Sequence, residues 1–112
     1  MIQELQIEIV KAIVNSVSQQ WDRITFNIEA GDVAGSETLS EDGDAWLNGE
    51  SDQIFLDYAT ELLLRQLRKE MAAGDPDSRC WSVCDIEVTS DGRYSYDFSY
   101  DAPKRITELN AK

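Results

Sequence analysis

The chain has 112 residues, of which 22 are Asp or Glu and 10 are Lys or Arg; histidine is absent and the formal charge is −12. That length fits one domain, residues 1–112, whose single core needs neither staple nor metal. A surface so acidic repels DNA, RNA and anionic lipid at long range, so nucleic acid and membrane are set aside as partners and a basic partner is expected.

In chain order, residues 2–18 carry a wide apolar arc: Ile2, Leu5, Ile9, Ala12, Ile13 and Val17, flanked by Val10 and Val14, with Glu4, Glu8, Lys11 and Asn15 opposite. This spacing predicts an amphipathic helix. At "WDRITFNIEAGD" the period changes to two. Ile24, Phe26, Ile28 and Ala30 are expected to face the core, with Arg23, Thr25, Asn27 and Glu29 facing out and Gly31-Asp32 ending the strand. Residues 33–51 admit two readings: short strands at Val33–Leu39 and Ala45–Leu47 joined by a turn at Glu41-Asp42-Gly43-Asp44, or a flexible loop. The "EDGD" run lacks the spacing and distal Glu of a calcium loop and reads as a solvated turn.

Residues 52–73 read as a second helix, capped by Ser51 or Asp52, with Phe55, Tyr58, Ala59, Leu62, Leu63 and Leu67 inward. Arg65, Arg68 and Lys69 crowd its C-terminal end, and Gly74 before Asp75-Pro76 stops it. Two strands follow, near 80–89 and 93–101, then a terminal segment in which Ile106 and Leu109 pack as a helical turn. Cys80 and Cys84 on a strand would stand about 13 Å apart, too far for a disulfide, and read as buried apolar fillers. The expected fold is therefore α+β: an antiparallel sheet of about four to five strands with two long helices packed on one face, in the order α-β-β-(β)-α-β-β.

The closing hairpin, "CDIEVTSDGRYSYDFSYDAP", decides which residues face out. A two-residue Asp91-Gly92 turn pairs Ile86 with Asp97 and leaves neither face clean. A three-residue Ser90-Asp91-Gly92 loop with Gly92 left-handed pairs Thr89 with Arg93, Val88 with Tyr94, Ile86 with Tyr96, Cys84 with Phe98 and Ser82 with Tyr100. One face becomes continuously apolar, and one-sided burial fixes register, so the second is preferred. The opposite face then carries Trp81 across from Asp101, Asp85 across from Asp97, and Glu87 across from Ser95. Like charges so placed destabilise a ladder. Carboxylates beside a large aromatic make up a docking patch for a basic surface, with Trp81 as anchor; the other reading is that helix two or the terminal segment covers this face and leaves Trp81 as core.

Other chemistries fit less well. A glycosidase-type carboxylate pair needs one buried carboxyl and a cleft, whereas Asp85 and Asp97 are expected on a flat, exposed sheet. No histidine, phosphate loop or nucleophile motif is present, and no spacing marks a metal site. The Tyr94, Tyr96, Tyr100 row could stack bases, but the chosen register turns it toward the helices. An enzyme is not expected, nor a cofactor. The charge excess also falls in particular places, −8 over residues 21–53 and −5 over residues 74–102, while both helical segments are close to balance.

The helix–strand opening through "WDRITFNIEA", the helix "FLDYATELLLRQLRKEM" and the segment "RCWSVCDIEVTSDGRYSYDFSYDAPKR" together resemble the YezG-like immunity protein family. The middle segment, 33–51, is shorter and more polar than that family's pattern. The resemblance implies a small α+β antitoxin that binds a cognate bacterial toxin domain in the cytoplasm, often a nuclease, and blocks its active site or substrate access. It implies no catalytic residues and supplies no contact motif. The site expected from charge and register is Trp81, Asp85, Glu87, Asp97 and Asp101, with a second patch at Glu41, Asp42, Asp44 and Trp46. The alternative is an acidic adaptor or assembly subunit with no toxin partner. No secretory-signal pattern and no apolar run near the roughly 20 residues of a membrane span occur, which also leads to the expectation of a cytoplasmic protein.

Overall fold

Period-two burial in one long strand organises the molecule. The computed structural model describes residues 1–112 as α1 (Ile2–Ser16), β1 (Arg23–Val33), β2 (Ser36–Leu47), β3 (Glu50–Ile54), α2 (Tyr58–Ala73), β4 (Val83–Thr89), β5 (Tyr94–Ser99) and α3 (Lys104–Asn110). The strands form one antiparallel sheet in the order β3-β2-β1-β4-β5, so β1 is central. Ile24, Phe26, Ile28 and Ala30 are all buried on one face of β1, as their alternation requires. They meet Leu5, Ile9 and Ile13 of α1 and Leu64 and Leu67 of α2 in a single core. The fold is the expected α+β class with five strands, but the two helices on one face are short where long ones were expected, 15 and 16 residues, and a third helix, α3, closes the chain. No helix is long and apolar enough to cross a membrane.

Residues 33–51 form neither a loop nor the expected strand pair. β1 runs past Gly31-Asp32 to Val33, and β2 is one unbroken strand of 12 residues. The turns lie at Ala34-Gly35, with φ of 52° and 82°, and at Asn48-Gly49, with φ of 52° and 83°. Both are two-residue left-handed turns, whose twist matches that of the paired strands. The "EDGD" run sits inside β2, where Gly43 pairs with Phe26. A Cβ on Gly43 would lie 2.2 Å from the Phe26 ring, so this glycine serves close packing and not a bend.

The second helix starts later than its apolar stripe suggests, because residues 50–54 pair with β2. Its cap is Asp57, whose Oδ1 accepts from the Thr60 N–H at 2.8 Å and the Thr60 hydroxyl at 2.7 Å. These bonds hold the Asp57 carboxyl below its usual range and allow Thr60 to be buried. The inward residues are therefore Thr60, Leu64 and Leu67. Phe55, Tyr58 and Leu62, expected inside, are 67%, 72% and 47% exposed.

The closing hairpin adopts the three-residue loop. Val88 pairs with Tyr94, Ile86 with Tyr96 and Cys84 with Phe98. Gly92 has φ of 91°, and the Thr89 N–H donates to the Arg93 carbonyl at 2.9 Å. Tyr94, Tyr96 and Phe98 face the helix side, where the Tyr96 hydroxyl donates to the Gln6 carbonyl at 2.7 Å. The alternation does not extend to residue 80, however. The Ser82 N–H donates to the Ser99 carbonyl at 2.9 Å beside the Val83–Ser99 pair, so two residues face one and a bulge results. That extra residue turns Trp81 to the core, where it is fully buried against Phe98 with ring centroids 5.8 Å apart. Arg68 closes over it, its Nε donating to the Trp81 carbonyl at 2.7 Å. Ser82 does not pair with Tyr100. The Ser82 hydroxyl donates to the Ser99 and Asp101 carbonyls, and Tyr100 lies beyond β5, exposed beneath Arg79. Cys84 is buried but Cys80 is exposed, and both are free thiols.

Gly43→Ala should lower unfolding free energy in urea by about 1–3 kcal/mol, because the added methyl must displace the Phe26 ring or the strand beneath it.

Candidate protein-binding face

The face of the sheet away from α1 and α2 is read in rows across the strands. Trp46, Arg23 and Thr89 form one row, and Asp44, Thr25, Glu87 and Ser95 the next. Asp42, Asn27, Asp85 and Asp97 form a third, and Ser40, Glu29, Val83 and Ser99 a fourth. The parity of β1 forces this arrangement, since its core residues take the other side. The two patches expected from sequence thus become one surface, joined through Thr25 and Asn27 of the central strand.

The middle rows enclose a shallow concavity of about 390 Å³, lined by Asp42, Asp44, Asp85, Glu87 and Asp97 with no Lys or Arg. Asp85 lies directly opposite Asp97, and its Oδ1 accepts from the Asn27 Nδ2 at 2.7 Å. The Asn27 Oδ1 is buried without a partner. Cations stand only at the margins. Arg23 lies 4.6 Å over the Trp46 ring and 3.3 Å from Glu87, while the Trp46 Nε1 donates to the Thr25 hydroxyl at 2.9 Å. Trp46 therefore lies on the carboxylate face, but half-buried and clasped.

At the other end α3 covers the β1 and β2 part of the fourth row. Ile106 packs against Gly31, and the buried Glu29 accepts from the N–H groups of Arg105 at 2.6 Å and Ile106 at 3.2 Å. The Arg105 guanidinium lies 3.2 Å from the same carboxylate and also donates to Ser40. Of the terminal pair expected to pack, Ile106 is buried and Leu109 is 40% exposed. The Glu29 carboxylate thus holds the start of α3 on the sheet and stops the cover short of the carboxylate rows.

No protein-family model matches the chain, and no curated protein does. The reading of the face therefore rests on its own residues.

Of the expected site residues, Asp42, Asp44, Asp85, Glu87 and Asp97 converge. Trp46 borders them, and Asp101 is exposed past the end of β5, outside the concavity. Two assignments are corrected. Trp81 is core and offers no anchor, because the bulge reverses its side. Glu41 lies on the helix side of β2, where its carboxylate accepts from the Leu56 N–H. Burial, opposed by that bond and reinforced by nearby Glu61, raises the Glu41 carboxyl above its usual range. Arg23, Thr25 and Asn27 escaped notice as site residues. They are the outward set of β1, and only the strand order shows that they bridge the two patches.

The Cys84 thiol and the Tyr96 hydroxyl are pushed well above their usual pKa values, first by burial, and lie under the opposite face. No group of side chains is arranged to hold a metal ion.

Two outcomes follow. Asp97→Asn, which removes one of two facing carboxylates, should raise stability by about 0.5 kcal/mol, measured by urea unfolding. Asp91, in the adjoining turn, is lowered from the usual 3.8 to about 2 by the Thr89 hydroxyl first and then by Arg93. Its folded carboxyl binds a proton more weakly than the unfolded one, so its contribution is complete above pH 4 and lost as pH falls toward 2. Asp91→Asn should therefore lower the melting temperature at pH 6 and leave it nearly unchanged at pH 2.

Proposed function

We propose that the protein is an immunity protein, acting in the cytoplasm, that binds a basic toxin domain and occludes its active site or its access to substrate. A nuclease domain is the leading partner, because a cleft that attracts phosphate is itself cationic. The single observation that carries this reading is the open carboxylate face: five acidic side chains on one concave surface, of which only Glu87 meets a cation, Arg23 at the margin. Such a surface raises the rate of encounter with a basic protein more than it raises affinity alone. The repulsion between Asp85 and Asp97 is relieved when cationic groups arrive, so the pairing that costs stability in the free protein favours the complex. Inhibition of this kind needs no chemistry from the inhibitor, and an enzymatic role is not part of the proposal.

The test asks first whether a toxin gene lies immediately beside this one, whose absence would favour an acidic adaptor, and then co-expresses that toxin's C-terminal domain with this chain. Growth rescue by the wild-type chain is expected, and absence of rescue would favour an acidic adaptor instead. Asp85→Lys with Asp97→Lys should keep the fold and slow association with the purified toxin domain at least tenfold at low salt. An unchanged association rate would remove this face from the account.

A further inference from the structure

Loss of Trp81 to the core leaves the carboxylate face without its apolar anchor, and another surface supplies one. Phe55, Tyr58 and Leu62 are 67%, 72% and 47% exposed. Tyr58 and Leu62 stand one turn apart on α2, and Phe55 comes three residues earlier, just after β3. Lone surface hydrophobics are ordinary, but here a Phe and a Tyr, types enriched at interface cores, are exposed close together in the chain with a Leu one turn on. None of the three is needed for the core, which is filled on this helix by Thr60, Leu64 and Leu67.

Position ties this patch to the acidic face. The β2–β3 ladder ends with Gly43 paired to Ile54, and Phe55 follows directly. The alternation that buries Ile54 gives Phe55, the residue after the last β2–β3 pair, the side of Gln53 and Asp44, and α2 with Tyr58 and Leu62 begins three residues later. Charge identifies the occupant. Every charged residue from 50 to 61 is acidic, namely Glu50, Asp52, Asp57 and Glu61, and the nearest cation along α2, Arg65, is already paired with Glu61 and Glu37. A second copy of this chain would bring those carboxylates against their own kind.

We propose that Phe55, Tyr58 and Leu62 are the apolar anchor by which a partner protein, basic around an apolar recess, docks at the edge of β3 and onto the adjoining carboxylate face. This rests on the immunity reading only for the partner's identity. In this division of labour the carboxylates govern encounter and the anchor governs residence.

The full chain and its Phe55→Ser/Tyr58→Ser/Leu62→Ser variant are compared in binding kinetics with the purified toxin domain from the neighbouring gene. The expected result is a Kd weakened about thirtyfold or more, through faster dissociation, at an unchanged association rate. Phe55→Ser alone, outside any helix, repeats the measurement should the triple substitution fail to fold. In parallel, NMR shifts are mapped with a peptide of alternating Lys and Leu and with one of alternating Lys and Ser. The first should move Phe55, Tyr58 and Leu62, and the second should not. Unchanged toxin affinity in the variant overturns the proposal, as do equal shifts at these residues with both peptides. Self-association of the wild-type chain that the triple variant abolishes assigns the patch to a second copy and also overturns it. If the wild-type chain fails to bind the toxin domain, the immunity reading falls, and the peptide comparison alone decides the patch.

Discussion

The alternation of β1 constrains everything else. Because Ile24, Phe26, Ile28 and Ala30 are taken by the core, Arg23, Thr25, Asn27 and Glu29 must face the other way. The strands on either side inherit that parity through their pairing. A slip of one residue in either ladder would send Asp42, Asp44, Asp85 and Glu87 beneath the helices, where unpaired carboxylates cannot be solvated. The carboxylate face is therefore the reverse side of the hydrophobic core, and it lasts as long as the core does.

What differs among the rows is how their charge is met. Glu29 is neutralised by Arg105 and by two backbone donors, which lets α3 close over it. At the opposite margin Arg23 answers Glu87 and covers Trp46. Asp42, Asp44 and Asp97 have no such cation. Counter-charges thus stand where a segment is held, at α3 and over Trp46, and are missing from the middle of the sheet.

Much of this could be read in the sequence, for identifiable reasons. The register of β4 and β5 was legible because only the Ser90-Asp91-Gly92 loop keeps Val88, Ile86 and Cys84 with aromatic partners. Trp81 was not, since the bulge at Ser82 depends on a backbone bond to Ser99 that residue type does not encode. In the middle segment, composition misled. Asp and Gly at 41–44 look like a turn, yet Gly43 is there for the Phe26 ring. The true turns are short Ala-Gly and Asn-Gly pairs, and Asn48-Gly49 was a usable hairpin signal passed over. The start of α2 was misplaced because Phe55, Tyr58 and Leu62 share helical spacing with the core residues, and spacing alone does not distinguish an inward stripe from an outward one. That the two acidic patches are one surface required the strand order, which pattern reading did not supply.

The central claim is that a field from the carboxylate rows brings a basic toxin domain to this face. It is tested most directly by the association rate of the wild-type chain with that domain, followed from low to high sodium chloride at fixed pH. Steering through unscreened surface charge predicts a rate that falls steeply as the Debye length shortens from roughly 30 Å to 3 Å, while the dissociation rate changes little. An association rate that stays flat across that range would contradict the account.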